Sequence, residues 1–128
     1  MDYSRRPPLS FARIPGAPAP GSVLFALEEL ADNDCRVLEY RDGDKIFELF
    51  VHRMGDSVVA YRNRCPHAGT PLDWVPGQFL DATGSEFQCA THGARFRKTD
   101  GFCTHGPCAG AFLQSVQVRV ENGMVLAD

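Results

Sequence analysis

Two short runs of this chain each place one thiol and one imidazole on a tight loop. The first is Cys65-Pro66-His67-Ala68-Gly69-Thr70-Pro71-Leu72, and the second is Cys89-Ala90-Thr91-His92-Gly93-Ala94-Arg95-Phe96. Thiolate and imidazole together suit zinc and iron. For four such ligands to converge on a small centre the backbone must turn sharply. Gly69 and Gly93, each shortly after a histidine, can adopt conformations closed to other residues. Pro66 and Pro71 fix φ and lower the entropy lost in holding the first loop. The segment from about residue 64 to 110 holds four of the five cysteines and three of the four histidines.

A closed tetrahedral zinc site with two cysteines and two histidines is compatible with these ligand types. The spacing argues against it, because common zinc motifs pair like with like, as Cys-x(2–4)-Cys and His-x(3–5)-His. Here each loop mixes the two. That arrangement suits two adjacent metal ions, with each loop reaching both.

Short β-like runs flank the ligand segment. Arg36 to Tyr40 reads as a strand and is followed by the turn signal Asp42-Gly43. Lys45 to Arg53 alternates, although Phe47 and Phe50 complicate its pattern. Met54-Gly55-Asp56 is the next turn, and Ser57 to Tyr61 is Val-rich. Near the C-terminus Val116, Val118 and Val120 alternate with polar residues. Asn122-Gly123 then signals a type I′ hairpin into Met124 to Leu126. Helical periodicity is weak, with at most a short turn across Leu24, Leu27, Glu28 and Leu30. Many short strands at this spacing predict an all-β antiparallel sandwich or open barrel. Residues 1–21, with five prolines, read as a poorly ordered N-terminal arm, and residues 22–128 as one domain.

The composition is that of a soluble globular protein, at 44% hydrophobic and 23% charged, with net charge −3. No long basic run points to nucleic acid. No stretch approaches the apolar length of a membrane span. No apolar segment follows Arg5 and Arg6, as a secretory signal requires. A cytoplasmic location is the expectation, and there cysteines read as ligands or buried thiols before they read as disulfides.

The Cys-x-His pair, the Cys-x-x-His pair about two dozen residues later, and their order resemble the motif of the Rieske family. Gly69 and Leu72 in the first run, and Gly93 and Phe96 in the second, also match that family. Gly106-Pro107 resembles its proline loop, and the Asn122-Gly123 hairpin its last turn. The resemblance spans roughly residues 22–128. It implies a Rieske-like antiparallel β-sandwich with a cluster-binding subdomain at about 64–110. It also implies one [2Fe-2S] cluster, with Cys65 and Cys89 on one iron and His67 and His92 on the other. The function implied is one-electron transfer from a flavin-dependent reductase to a terminal oxygenase or other redox acceptor, without catalysis by the chain itself. The imidazole edges would be the electron doorway. Arg62, Arg64, Arg95 and Arg97 bracket the two runs and read as solvated strand charges that, near the doorway, could steer an acidic partner. The alternatives are a small accessory subunit similar to that of assimilatory nitrite reductase, or a zinc-stabilised binding module.

Other residues receive plainer readings. Cys35 is a small buried residue, and His52 a polar-rim residue at a strand end. Trp74 is expected to pack beneath the first loop, the alternative being an exposed docking residue. Cys103 and Cys108 read as two thiols near the proline loop, with Cys108 beside the cluster, in preference to a second metal site or a small redox disulfide, and His105 as an ordinary loop residue. High-potential relatives carry Ser and Tyr hydroxyls where this chain has Ala94 and Phe96, and a disulfide where it has Thr70 and Thr91. Fewer donors to the sulfurs lower the potential within a family window of about −150 to +300 mV. The expected midpoint is about −150 to 0 mV, measurable by voltammetry, and a value well above about +100 mV would contradict this reading of Ala94 and Phe96.

Overall fold

The computed structural model describes residues 5–66 and 68–128; Met1–Ser4 and His67 lie outside the described residues. Among the described residues nine strands run in chain order: β1 (Val23–Ala26), β2 (Cys35–Asp42), β3 (Lys45–Met54), β4 (Ser57–Arg62), β5 (Glu86–Gln88), β6 (Arg95–Arg97), β7 (Cys103–His105), β8 (Val118–Glu121) and β9 (Met124–Ala127). They form three antiparallel three-stranded sheets, ordered β1-β9-β8, β2-β3-β4 and β5-β6-β7. This is the all-β antiparallel architecture expected from the sequence. The small β5-β6-β7 sheet falls inside the ligand-rich segment.

Local chemistry places the turns. Asp42 pairs with Lys45, so Gly43 and Asp44 form the β2–β3 turn, with Gly43 at φ +59°. Glu121 pairs with Met124 around Asn122 and Gly123, whose φ values of +52° and +72° are those of a type I′ turn. The segment read as at most a short helical turn holds one 3-10 turn, Leu27–Glu29, directly after strand β1.

Strand β3 explains its own irregular pattern, because it buries both faces. Phe47, Leu49 and Val51 point into a core shared with Phe11, Phe25, Val116 and Val125. Phe50, on the opposite face, stacks on Phe79 at 4.1 Å and meets the edge of Phe87 at 5.0 Å. Those rings belong to a second core, which contains Cys65, Cys89, Cys103 and Cys108. One strand thus supports the scaffold on one side and the ligand-bearing loops on the other. The buried Tyr61 ties the two parts further by donating its hydroxyl to the Lys98 carbonyl at 2.7 Å.

Two sequence readings need correction here. The Pro-rich stretch from residue 5 is anchored: Phe11 (1% exposed) and Ile14 (4%) are core residues. The Leu9 and Phe11 N–H groups donate to the Ser115 and Asp128 carbonyls. Proline density hid two apolar anchors. His52 is no rim residue. It faces the second core, fully buried, with Nδ1 3.2 Å from the Cys35 sulfur and no hydrogen-bond partner for Nε2. Cys35 is half-buried against the same core, and burial pushes its thiol up to about 12.

Burial, followed by the positive charge of Lys98, pushes the His52 pKa from 6.5 down to about 4. The unfolded chain therefore takes up this proton at a higher pH than the folded one. The contribution to stability is complete above the unfolded value and drains as pH falls toward 4, by on the order of 2–3 kcal/mol. Urea unfolding between pH 7 and 4 should show this slope, and the His52→Leu variant should flatten it; an unchanged slope would place the sensitivity elsewhere.

Candidate metal centre

The two ligand loops close by the same pair of backbone bonds. In the first, the Cys65 N–H donates to the Thr70 carbonyl at 2.8 Å, and the Gly69 N–H donates to the Cys65 carbonyl at 2.8 Å. In the second, Cys89 N–H donates to the Ala94 carbonyl at 2.8 Å, and Gly93 N–H to the Cys89 carbonyl at 2.9 Å. In both, glycine four residues after the cysteine carries the left-handed turn, at φ +69° and +72°. Each cysteine backbone is pinned through both of its polar groups.

The loops are also fastened to each other. The Thr70 and Thr91 hydroxyl oxygens lie 3.1 Å apart, and the Ala90 N–H donates to the Leu72 carbonyl at 3.0 Å. A hydrogen bond thus stands where high-potential relatives of the resembled family carry a disulfide. Cys65 and Cys89 are 1% and 0% exposed, in one core with Leu72, Ala94 and Phe96, whereas His92 is exposed. Two soft sulfurs therefore lie on the dry side and an imidazole on the wet side. His67, the remaining predicted ligand, lies outside the described residues. Among the described residues no three His, Cys, Asp or Glu side chains form a single-ion ligand set.

This donor set fits a [2Fe-2S] centre. Buried thiolates need a cation to offset their desolvation, and an exposed imidazole is neutral when it ligates. Cys65, Cys89 and His92, with His67, are the residues that would hold it.

A third loop closes over the other two. Gly106, at φ +100°, approaches the second loop so closely that a Cβ there would lie 2.8 Å from the Ala94 Cα. Cys108 lies in one core with Cys65, and its sulfur lies 3.1 Å from that of Cys103. Burial raises both thiols, Cys108 to about 12, so both are protonated at neutral pH. His105 is exposed and bonds Thr104 through Nδ1 at 2.9 Å. The Arg97 guanidinium pairs with Asp100 at 2.6 Å, and Arg64 and Arg95 are exposed beside the loops. Trp74 does not pack beneath the first loop: it is 71% exposed, next to Val75 at 55%.

Sequence reasoning missed Asn63. This buried side chain accepts the Leu72 N–H at 2.8 Å and donates to Glu48 Oε1 at 2.6 Å and Asp73 Oδ1 at 2.7 Å. It fixes the far end of the first loop to β3. The signal was present as an amide two residues before the ligand cysteine, but its partners lie 15 and 10 residues away. Asn63→Ala leaves the buried Leu72 N–H without its acceptor, at a cost of about 1–3 kcal/mol. Asn63→Asp should cost more at pH 7, since three carboxylates would then meet, and should recover partly at pH 5. Urea titrations at the two pH values rank the variants, and an aspartate variant as stable as the parent at pH 7 would refute the network.

The comparisons with known proteins agree with this construction. The family model for the Rieske [2Fe-2S] domain matches residues 22–120. A ferredoxin of carbazole 1,9a-dioxygenase from Nocardioides aromaticivorans IC177 superposes with TM-score 0.66 at 28% identity, over 85% of this chain and 97% of that one. A structure described as the complex of reduced oxygenase and oxidized ferredoxin in carbazole 1,9a-dioxygenase gives 0.65 at 26% identity, over 83% and 90%. A Sphingomonas yanoikuyae B1 ferredoxin shares the fold, at TM-score 0.61 and 21% identity over 84% and 97%. A comparison with curated proteins found no match. Among the described residues no helix is long and apolar enough to cross a membrane. The match over most of the chain, on loops built as described, makes this protein a member of the Rieske [2Fe-2S] domain family.

Proposed function

We propose that this chain is a one-electron carrier, with Cys65 and Cys89 holding the inner iron of a [2Fe-2S] cluster and His67 and His92 the outer one. Its electrons come from a flavin-dependent reductase and pass to a terminal oxygenase or a similar redox enzyme. When bound, the cluster supplies reversible uptake of one electron.

The observation that carries this reading is the split donor set: two buried sulfurs on identically closed loops, with His92 facing solvent. The protein's own residues do the rest. Leu72, Ala94, Phe96 and Cys108 exclude water from the sulfur side. The loops hold the ligand backbones through their own hydrogen bonds. The exposed side leaves a partner free to approach the imidazole. An oxygenase as acceptor is supported by the similarity to a ferredoxin seen in complex with an oxygenase.

Absorption and low-temperature EPR of the purified protein, before and after dithionite, test the assignment. A red-brown protein with a rhombic signal of low average g on reduction is the expected result. The Cys65→Ala and His92→Ala variants should lose or alter it. A colourless protein with stoichiometric zinc would overturn the reading.

A further inference from the structure

Cys103 and Cys108 are not required as ligands by the function above. Both are fully buried, and their sulfurs lie 3.1 Å apart, about 1 Å beyond a disulfide bond. The chain between them folds back on itself. The Gly110 N–H donates to the Cys103 carbonyl at 3.1 Å, and the Cys103 N–H to the Ala111 carbonyl at 2.8 Å. The backbone thus already holds the two residues side by side. His105, Gly106, Pro107, Ala109 and Gly110 are exposed, so the thiols lie just beneath a surface loop.

The proton positions follow from the contacts. The Cys103 thiol donates to the His105 carbonyl at 3.2 Å. Cys108 has two sulfur neighbours, Cys103 and Cys65. A Cys65 that ligates iron is a thiolate and only accepts. It is the stronger acceptor of the two, because hydrogen bonds to charged groups exceed those to neutral ones.

We propose that Cys103 and Cys108 form a redox-active dithiol: reduced, it supplies a thiol hydrogen bond to the Cys65 sulfur, and closed to a disulfide, it withdraws that bond. The inference deepens the carrier reading and rests on it. The oxidant is a small disulfide of the glutathione type. One cysteine thiolate attacks a glutathione disulfide sulfur, and one glutathione thiolate leaves. The second cysteine attacks the protein sulfur of that mixed disulfide, forms the Cys103–Cys108 bond and expels the second glutathione thiolate. The two cysteine protons end on the two glutathiones, so two thiols are oxidised and one disulfide is reduced. Burial makes the exchange slow. Hydrogen bonds to ligand sulfurs raise the potential of an iron–sulfur centre, so disulfide closure lowers it.

The test equilibrates the purified holoprotein in glutathione buffers of stepped reduced-to-oxidised ratio. Samples are divided for absorption, voltammetry, and acid quench with alkylation and peptide mapping. The expected result is a Cys103–Cys108 cross-linked peptide in oxidising buffer, with the visible spectrum retained and the midpoint shifted to lower potential. Cys108→Ala should show the lower midpoint in every buffer, and Cys103→Ala should keep the higher one in every buffer. The wild-type measurement needs neither variant to fold. Two alkylatable thiols in oxidising buffer with an intact spectrum would overturn the proposal, as would a disulfide that leaves the midpoint unmoved. A chain without the visible spectrum would instead sink the carrier reading, and the peptide map would still decide whether the pair closes.

Discussion

Everything at the functional end of this protein depends on holding two cysteine backbones still while their sulfurs stay out of water. Each loop meets that demand by engaging both polar groups of its cysteine, the N–H with the carbonyl five residues on and the C=O with the N–H four residues on. A loop of this size has no core of its own. It keeps its shape because its backbone bonds are shielded and because a glycine accepts the turn that closes it. The bonds from Thr70 to Thr91 and from Ala90 to Leu72 then make the two loops one unit.

That unit must be anchored, and β3 does so through chemistry on opposite faces. Its scaffold face is aliphatic and aromatic, as a sandwich interior requires. Its other face presents Phe50 to Phe79 and Phe87, and Phe87 lies two residues before Cys89. A ring stack thus sets the height of the second loop. Asn63 sets that of the first through hydrogen bonds to Leu72 and Glu48. One anchor is an aromatic stack with His52 edge-on to Phe87 at 5.1 Å, whereas the other is an amide between two carboxylates, so the loops differ in what disturbs them.

The sequence made the fold class and the outline of the site legible for identifiable reasons. Turn residues at Gly43, Gly55 and Asn122-Gly123 are local chemistry, and the strands between them followed. The ligand loops were legible because glycine and proline punctuate cysteine and histidine at a spacing that few other structures need. What escaped was non-local. Phe11 and Ile14 sit among prolines, and only their distant partners in the strands make them core residues. His52 occupies a strand position that simple alternation with Leu49 and Val51 sends outward, and it is buried because β3 buries both faces. Trp74 has the composition of a core residue and the exposure of a surface one. Asn63 reveals itself only once Glu48, Leu72 and Asp73 are brought together.

The matched loop frames also show how the site is asymmetric. Counted from its cysteine, each loop has its turn glycine at the fourth following residue and its closing carbonyl at the fifth. The histidines do not share this register: His67 is the second residue after Cys65, and His92 the third after Cys89. Equal frames with unequal histidine positions mean that the two cysteine backbones are held equivalently while the histidines stand at different places in the two runs. Pro66 occupies the first loop's position after cysteine, where φ is fixed, and Ala90 occupies it in the second, where its N–H is used to bond the first loop. A proline at residue 90 would remove that bond. The loops are therefore not interchangeable copies: one is stiffened by its own ring, and the other by its neighbour.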